Sequence, residues 1–74
     1  MTEKTLDLRG LKCPLPVLRT RKTLAEMTSG DLLVVACTDP LATLDIPALL
    51  RQTGDELEEV FQDGEATAFR IRKR

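Results

Sequence analysis

The stretch Leu32-Leu33-Val34-Val35-Ala36-Cys37 is a continuous apolar run in the middle of the chain. Ser29-Gly30-Asp31 precedes it and Asp39-Pro40 follows it, and both segments are typical of turns. A short apolar run between turn signals indicates a strand in the interior of a sheet. We therefore expect the sheet of this protein to be organised around residues 32–37.

The segment before this run predicts a strand followed by a helix. Thr5-Leu6-Asp7-Leu8 alternates polar and apolar residues, as a half-buried strand does, and Gly10 ends it. From Pro14 to about Met27 the apolar residues follow helical spacing. We expect one side of this helix to carry Val17, Leu18, Arg21, Leu24 and Ala25. The long aliphatic stem of Arg21 can lie along that side.

The segment after the run predicts a second helix and then two strands. Asp45 is a suitable N-cap, Pro47 fits the first helical turn and Gly54 is a suitable C-terminal stop. Two further strands are expected over Glu56 to Phe61 and Ala66 to Arg72. The Asp-Gly turn signal lies between them, in Gln62-Asp63-Gly64-Glu65. On the last strand we expect Thr67, Phe69 and Ile71 on one face and Ala68, Arg70 and Arg72 on the other.

The predicted order of elements is βαβαββ, which belongs to the α/β class. The first two strands flank a helix, so they should be parallel with a right-handed crossover. Both helices should cover one face of the sheet, giving a two-layer α/β sandwich. With 74 residues, 42% hydrophobic and 31% charged, the chain is expected to form a single domain over residues 1–74.

Composition argues against several functional classes. Phe61 and Phe69 are the only aromatic residues and the net charge is −1, so direct nucleic-acid binding is not expected. No apolar run is long enough to span a membrane, and the start Met1-Thr2-Glu3-Lys4 lacks the apolar region of a signal peptide. We therefore expect a cytoplasmic protein without membrane insertion, and nothing in the sequence requires more than a monomer. We expect no cofactor.

The cysteines and the missing histidine restrict the chemistry. In the cytoplasm the two cysteines should be free thiols. Two cysteines without histidine cannot make a usual zinc site unless carboxylates or a second chain complete it, so no metal site is expected. A Cys-His nucleophile pair is also impossible within the chain.

Charge is uneven along the chain. Residues 1–30 hold six basic and three acidic residues, whereas residues 55–65 hold six acidic residues and no basic one. Either these are ordinary solvated faces, or one of them is a partner-docking surface.

Cys13 lies in the segment Gly10-Leu11-Lys12-Cys13-Pro14-Leu15-Pro16, at the predicted start of the first helix. A residue before proline favours the extended backbone that an N-cap needs, so we expect Cys13 at the N-cap and Pro14 at the first helical position. Because Pro16 has no N–H, the free helical amides directed at the sulfur should be those of Leu15 and Val17.

The surroundings of Cys13 are expected to favour the thiolate. The helix dipole places positive charge at this end, and Arg9 and Lys12 lie close in sequence. These effects should lower the pKa of Cys13 and make it a reactive nucleophile. The alternative is a small apolar residue buried at a turn.

Cys37 ends the apolar strand, where a small buried side chain is expected. Cys13 follows the first strand and Cys37 closes the second. If these strands are parallel neighbours, both sulfurs lie near one edge of the sheet. A resolving or relay role for Cys37 therefore stays open beside the core interpretation.

The segment Leu6 to Pro16, followed by Arg21-Lys22, resembles the TusA/SirA/YedF family of small sulfur carriers, whose hallmark is Cys-Pro-x-Pro at the start of the first helix. Thr38-Asp39-Pro40, Asp45-Ile46-Pro47 and the closing residues 69–73 are also similar, so the resemblance covers nearly the whole chain. It implies a βαβαββ two-layer sandwich with a four-stranded mixed sheet.

The resemblance also implies that Cys13 accepts a sulfane sulfur as a persulfide and passes it to a partner protein. The donor would be a cysteine desulfurase or a rhodanese, and the destinations would be tRNA thiolation, sulfur oxidation or cofactor sulfuration. Arg21, Lys22 and Asp39 correspond to family residues that help dock partners. Two positions depart from the family pattern: Leu15 stands where tRNA-thiolation members often have an acidic residue, and Cys37 where a residue such as alanine is familiar.

Two other functions remain as alternatives to a persulfide carrier. One is a thiol redox or regulatory module that uses Cys13 and Cys37 as a reversible pair. The other is a non-catalytic interaction or RNA-binding domain that uses the basic first helix, and the low aromatic content and small net charge argue against it.

Overall fold

The computed structural model describes residues 2–74, which form four strands and two helices in the order βαβαββ. The elements are β1 (Glu3–Leu8), α1 (Leu15–Glu26), β2 (Leu32–Cys37), α2 (Ala42–Thr53), β3 (Glu56–Asp63) and β4 (Ala66–Arg72). The predicted order of elements is confirmed.

The four strands form one mixed sheet with the spatial order β1-β2-β4-β3. β1 and β2 are parallel, in a register that runs from the pair Glu3 and Leu32 to the pair Leu8 and Cys37. β4 lies antiparallel to both β2 and β3. The strand predicted from the central apolar run is therefore an interior strand, as expected.

Both helices pack on the same face of the sheet. Alternate residues of β2 and β4 supply the sheet side of the core, and the helices supply the other side. The predicted split of β4 is confirmed, since Phe69 and Ile71 are fully buried in this core while Arg70 lies on the opposite face. The core includes Leu24, Leu33, Val35, Cys37, Ile46, Leu50, Phe69 and Ile71.

The buried side of α1 differs from the prediction. Leu18 is 51% exposed and Ala25 is exposed, whereas Thr20 is completely buried and shares the inner side with Pro16 and Leu24. The Thr20 hydroxyl donates to the Pro16 carbonyl at 2.7 Å, which satisfies the buried polar group. A threonine whose hydroxyl bonds within its own helix thus occupies a core position that hydrophobic spacing did not indicate.

The start of α2 also differs from the prediction. The helix begins at Ala42, so Asp45 lies inside the first turns rather than at the N-cap, and Pro47 lies inside the helix. The cause is the preceding turn, in which an Asp39 carboxylate oxygen accepts the Leu41 amide at 3.1 Å. The predicted stop is confirmed, since Gly54 caps the helix with a φ of 81°.

The acidic segment 55–65 is neutralised largely within the chain. Basic residues of β4 and the C-terminus form ion pairs with it: Arg70 with Glu59, Arg72 with Glu58, Lys73 with Asp55 and Arg74 with Glu56. Within residues 2–74, by contrast, Arg19, Arg21 and Lys22 of α1 make no ion pair. These three residues therefore form a positively charged stretch on α1 that no ion pair of the described residues neutralises. No helix in the described part of the chain is long and apolar enough to cross a membrane.

Candidate functional site

The loops that follow β1 and β2 emerge side by side and are joined by hydrogen bonds. The last residues of the two parallel strands, Leu8 and Cys37, are register partners. Beyond them the Gly10 amide donates to the Thr38 hydroxyl at 2.9 Å, and the Cys13 amide donates to Asp39 Oδ2 at 2.6 Å. The β2–α2 loop thus holds the backbone of Cys13 in place at the edge of the sheet.

Cys13 lies in a tight turn just before α1 and is exposed. The Leu15 amide donates to the Lys12 carbonyl at 2.9 Å, which encloses Cys13 and Pro14 in the turn, and the peptide bond between them is cis. The first helical hydrogen bond runs from the Leu18 amide to the Pro14 carbonyl at 3.1 Å. Pro14, not Cys13, is therefore the N-cap, and the predicted placement of both residues was wrong by one position.

Only one of the two amides expected to face the sulfur stays free. The Leu15 amide is used by the turn, as its bond to the Lys12 carbonyl shows. Pro16 occupies the second helical position and has no N–H. The Val17 amide has no acceptor among residues 2–74 and is the remaining donor at this helix end.

Arg9 does not supply the positive charge expected near the thiol. Its guanidinium forms two hydrogen bonds of 2.8 Å with the Asp7 carboxylate. Hydrogen bonding to Arg9 lowers the pKa of Asp7 to about 2. Lys12 is exposed and, within the described chain, forms no ion pair.

The nearest charged partner of the sulfur is an acidic one. The Cys13 thiol donates a hydrogen bond to Asp45 Oδ2, with an Sγ–O distance of 3.3 Å. This bond raises the pKa of Cys13, and desolvation and the negative charges of Asp45 and Asp39 add to the effect. The lowered pKa expected from the sequence is therefore wrong for the protein on its own.

Asp45 is the site residue that the sequence did not reveal. The sequence suggested a helix cap for it, and the contact joins residues 32 positions apart. It forms because α2 begins at Ala42, which places Asp45 one turn into the helix on the side that faces Cys13. The motif Asp45-Ile46-Pro47 was the only signal available, and it carries no information about this contact.

Two depressions meet at Cys13. The smaller, of roughly 220 Å³, lies between the helices, and we call it the α1–α2 groove; it is lined by Cys13, Val17, Arg21, Asp45, Leu49 and Gln52, among others. The larger, of roughly 420 Å³, lies over the two loops and is lined by Leu11, Lys12, Cys13, Thr38, Asp39 and Leu41, among others. The sulfur is thus reachable from two sides.

The residues predicted to dock partners have different surroundings. Arg21 lines the α1–α2 groove together with Cys13. Asp39 lies in the β2–α2 loop, where its two carboxylate oxygens accept the amides of Cys13 and Leu41. Lys22 follows Arg21 on α1 and is exposed. Asp39 therefore has a structural role within the chain, whereas Arg21 and Lys22 leave their charges available.

Exposed leucines lie on both helices near the site. Leu15 and Leu18 on α1 are 43% and 51% exposed. Leu41 and Leu44 at the start of α2 are 51% and 68% exposed. Exposed apolar side chains that cluster near a nucleophile indicate a surface that another molecule covers.

Cys37 is buried in the core, as the core interpretation predicted. Its exposed fraction is 1%, and it belongs to the central hydrophobic cluster. Burial, with a contribution from the Asp39 charge, raises the pKa of Cys37 to about 11. A thiol that is both buried and protonated at neutral pH is poorly suited to exchange with Cys13. No group of three or more potential metal ligands occurs among residues 2–74.

Comparison with known proteins gives a consistent result. Residues 4–73 match the family model described as sulfurtransferase TusA. The sulfur carrier protein TusA of Allochromatium vinosum is 46% identical over 71 residues, covering 96% of this chain and 93% of that protein. A putative sulfur carrier protein of Neisseria meningitidis serogroup B is 52% identical over 65 residues, covering 86% of this chain and 88% of that protein.

The fold comparison agrees with the sequence comparison. The crystal structure of a SirA-like protein from Desulfitobacterium hafniense superimposes with a TM-score of 0.82 at 26% identity. The match covers 93% of this chain and 95% of that one.

Proposed function

The chain belongs to the TusA family of sulfur carriers, and from this premise we propose that Cys13 accepts a sulfane sulfur as a persulfide and passes it to a partner protein. The observation that carries the proposal is the exposure of the Cys13 thiol at the meeting point of two depressions, while the other thiol, Cys37, is buried. A carrier needs one accessible sulfur and no second thiol that competes for it.

The transfer is a simple exchange at sulfur. Cys13 Sγ attacks the outer sulfur of a donor persulfide, a new S–S bond forms on Cys13, and the donor's S–S bond breaks. The proton of the Cys13 thiol ends on the donor thiolate that leaves. No electrons are gained or lost overall, so the step needs no histidine, metal or redox cofactor from this chain.

The form of the site supports a role for the carrier between two larger proteins. Both depressions at Cys13 are shallow and open, so substrate specificity would come from the docked partner rather than from an enclosed pocket. We propose a cysteine desulfurase or a rhodanese as the donor. The acceptor would serve tRNA thiolation, sulfur oxidation or cofactor sulfuration.

A loading experiment tests the proposal. The protein is incubated with a cysteine desulfurase and cysteine, and the intact mass is measured before and after reduction. We expect wild type and Cys37→Ala to gain one sulfur that the reductant removes, and Cys13→Ala to gain none. Equal sulfur gain by Cys13→Ala would show that another residue carries the sulfur and would overturn the proposal.

A further inference from the structure

The hydrogen bond between the Cys13 thiol and Asp45 does not serve the transfer chemistry directly. A carrier thiol must ionise to attack a persulfide, yet its Sγ donates to Asp45 Oδ2 at 3.3 Å. A carboxylate can accept this bond only while the thiol keeps its proton, and it repels the thiolate. The contact therefore stabilises the less reactive form of the sulfur.

We propose that Asp45 suppresses the reactivity of the carrier before it is loaded with sulfur. Its carboxylate keeps the Cys13 thiol protonated and slow to react until a docked sulfur donor separates the two groups. The inference rests on the proposed function, because it concerns the regulation of the same sulfur. Asp45 is not the cap of α2, so capping of the helix does not explain its contact with Cys13.

The other charged groups around the thiol do not cancel this effect. Asp39, from the β2–α2 loop, adds a second negative charge, and its oxygens are held by the amides of Cys13 and Leu41. Arg9 is paired with Asp7. Lys12 from the β1–α1 loop and Arg21 from α1 line the depressions on either side of the sulfur, but neither forms a hydrogen bond with Sγ within the described chain.

The position of Asp45 makes the contact easy to disturb. Cys13, Asp45 and Arg21 line the same open α1–α2 groove, so a partner that enters the groove meets both members of the hydrogen bond. Once the carboxylate is turned away, the thiol can ionise near the positive end of α1, where the Val17 amide has no acceptor among residues 2–74. In the transfer that follows, the Cys13 proton goes to the thiolate that leaves the donor. The transfer therefore needs no further reagent.

The test measures the rate at which iodoacetamide alkylates Cys13 as a function of pH, in a Cys37→Ala background that leaves a single thiol. Two variants remove the charge: Asp45→Asn, which keeps the shape, and Asp45→Ala, which suits a helix interior. The matched control is Asp63→Asn, which makes the same charge change at an exposed position outside the site. Circular dichroism checks that each variant is folded.

We expect both neutral Asp45 variants to shift the midpoint of the pH dependence of alkylation to lower pH. The midpoint of Asp63→Asn should stay at the value of the Cys37→Ala parent. Because nucleophilicity falls as basicity falls, each tenfold gain in thiolate should raise the alkylation rate at pH 7 only roughly threefold. An unchanged midpoint in both Asp45 variants would overturn the proposal. An equal shift in Asp63→Asn would also overturn it, because net charge rather than the contact would then be the cause.

This outcome is separable from that of the loading experiment. Alkylation needs no sulfur donor, so the experiment tests the effect of Asp45 on the Cys13 thiol even if Cys13 never carries a persulfide. Conversely, normal sulfur loading together with an unchanged alkylation midpoint would contradict the proposed role of Asp45 and would still support the carrier function.

Discussion

The amide of Cys13 and the carboxylate of Asp39 form a hydrogen bond of 2.6 Å that ties the β1–α1 loop to the β2–α2 loop. The other oxygen of Asp39 accepts the Leu41 amide and so shapes the turn that starts α2. Through these two bonds a single side chain sets both the position of the reactive cysteine and the position of the helix that carries Asp45. The site is therefore built by the junction of two loops rather than by one motif.

Replacing Asp39 with alanine should loosen this junction. Two amides lose their acceptor, and we expect the free energy of unfolding to fall by about 1–2 kcal/mol. Urea denaturation measures the change, with an unchanged m-value indicating that the unfolded state is the same. Asp63→Ala is the control, because Asp63 is exposed at the β3–β4 hairpin, and its stability should stay within about 0.5 kcal/mol of wild type.

Hydrogen exchange separates a structural role for Asp39 from a docking role. If Asp39 anchors the loop, the Cys13 amide should exchange faster in Asp39→Ala than in wild type. If the Cys13 amide still exchanges slowly and stability is unchanged, but sulfur transfer is weaker, the structural role of Asp39 is contradicted. Direct contact of Asp39 with a partner would then be favoured.

The two thiols should react very differently with alkylating reagents at pH 8. Cys37 has an exposed fraction of 1% and a pKa of about 11, so the native protein should take one label, on Cys13, and a second only after unfolding in urea. Peptide mapping by mass spectrometry identifies the labelled site. Rapid labelling of both thiols in the native state, or an intramolecular disulfide after mild oxidation, would instead support the reversible Cys13–Cys37 pair.

The same burial predicts how stability depends on alkaline pH. The folded pKa of Cys37 lies above the value of about 8.5 for a free thiol, so its contribution is fully present below pH 8.5. The contribution is lost as pH rises toward 11, because the unfolded thiol ionises first. Cys37→Ala should therefore lose less stability than wild type between these pH values, and equal losses would argue against the buried, protonated thiol.

The strands were predictable because the pattern of apolar and polar residues within each segment is enough to indicate a strand and its buried face. Alternation on β4 and the apolar run of β2 report directly on which face is buried, and the structure agrees with both. The burial of Thr20 was not predictable from hydrophobic spacing, because it depends on a hydrogen bond to the Pro16 carbonyl. The importance of Cys13 as an exposed thiol was likewise visible in its turn-rich surroundings.

The electrostatics of the site could not be read from the chain. Arg9 and Lys12 are close to Cys13 in sequence, but Arg9 turns toward Asp7 and the carboxylate of Asp45 reaches the sulfur instead. The hydrogen bond to Asp45 is the largest cause of the raised pKa at Cys13, and desolvation and the Asp39 charge act in the same direction. The Asp45 contact follows from a helix that starts one turn earlier than predicted, and hydrophobic spacing gives no information about it.

Reversing the charge of α1 should weaken delivery of sulfur by the donor. Arg21 lines the α1–α2 groove beside Cys13, and Lys22 is exposed next to it, so we expect Arg21→Glu to reduce transfer from a cysteine desulfurase roughly three- to tenfold, with a smaller effect of Lys22→Glu. The loss should appear in the KM of the desulfurase for the carrier, and it should shrink at high salt. Arg19→Glu is the matched control, because helical spacing turns Arg19 to the side opposite Arg21. An equal loss in Arg19→Glu would mean that the total charge of the helix matters and that Arg21 makes no specific contact.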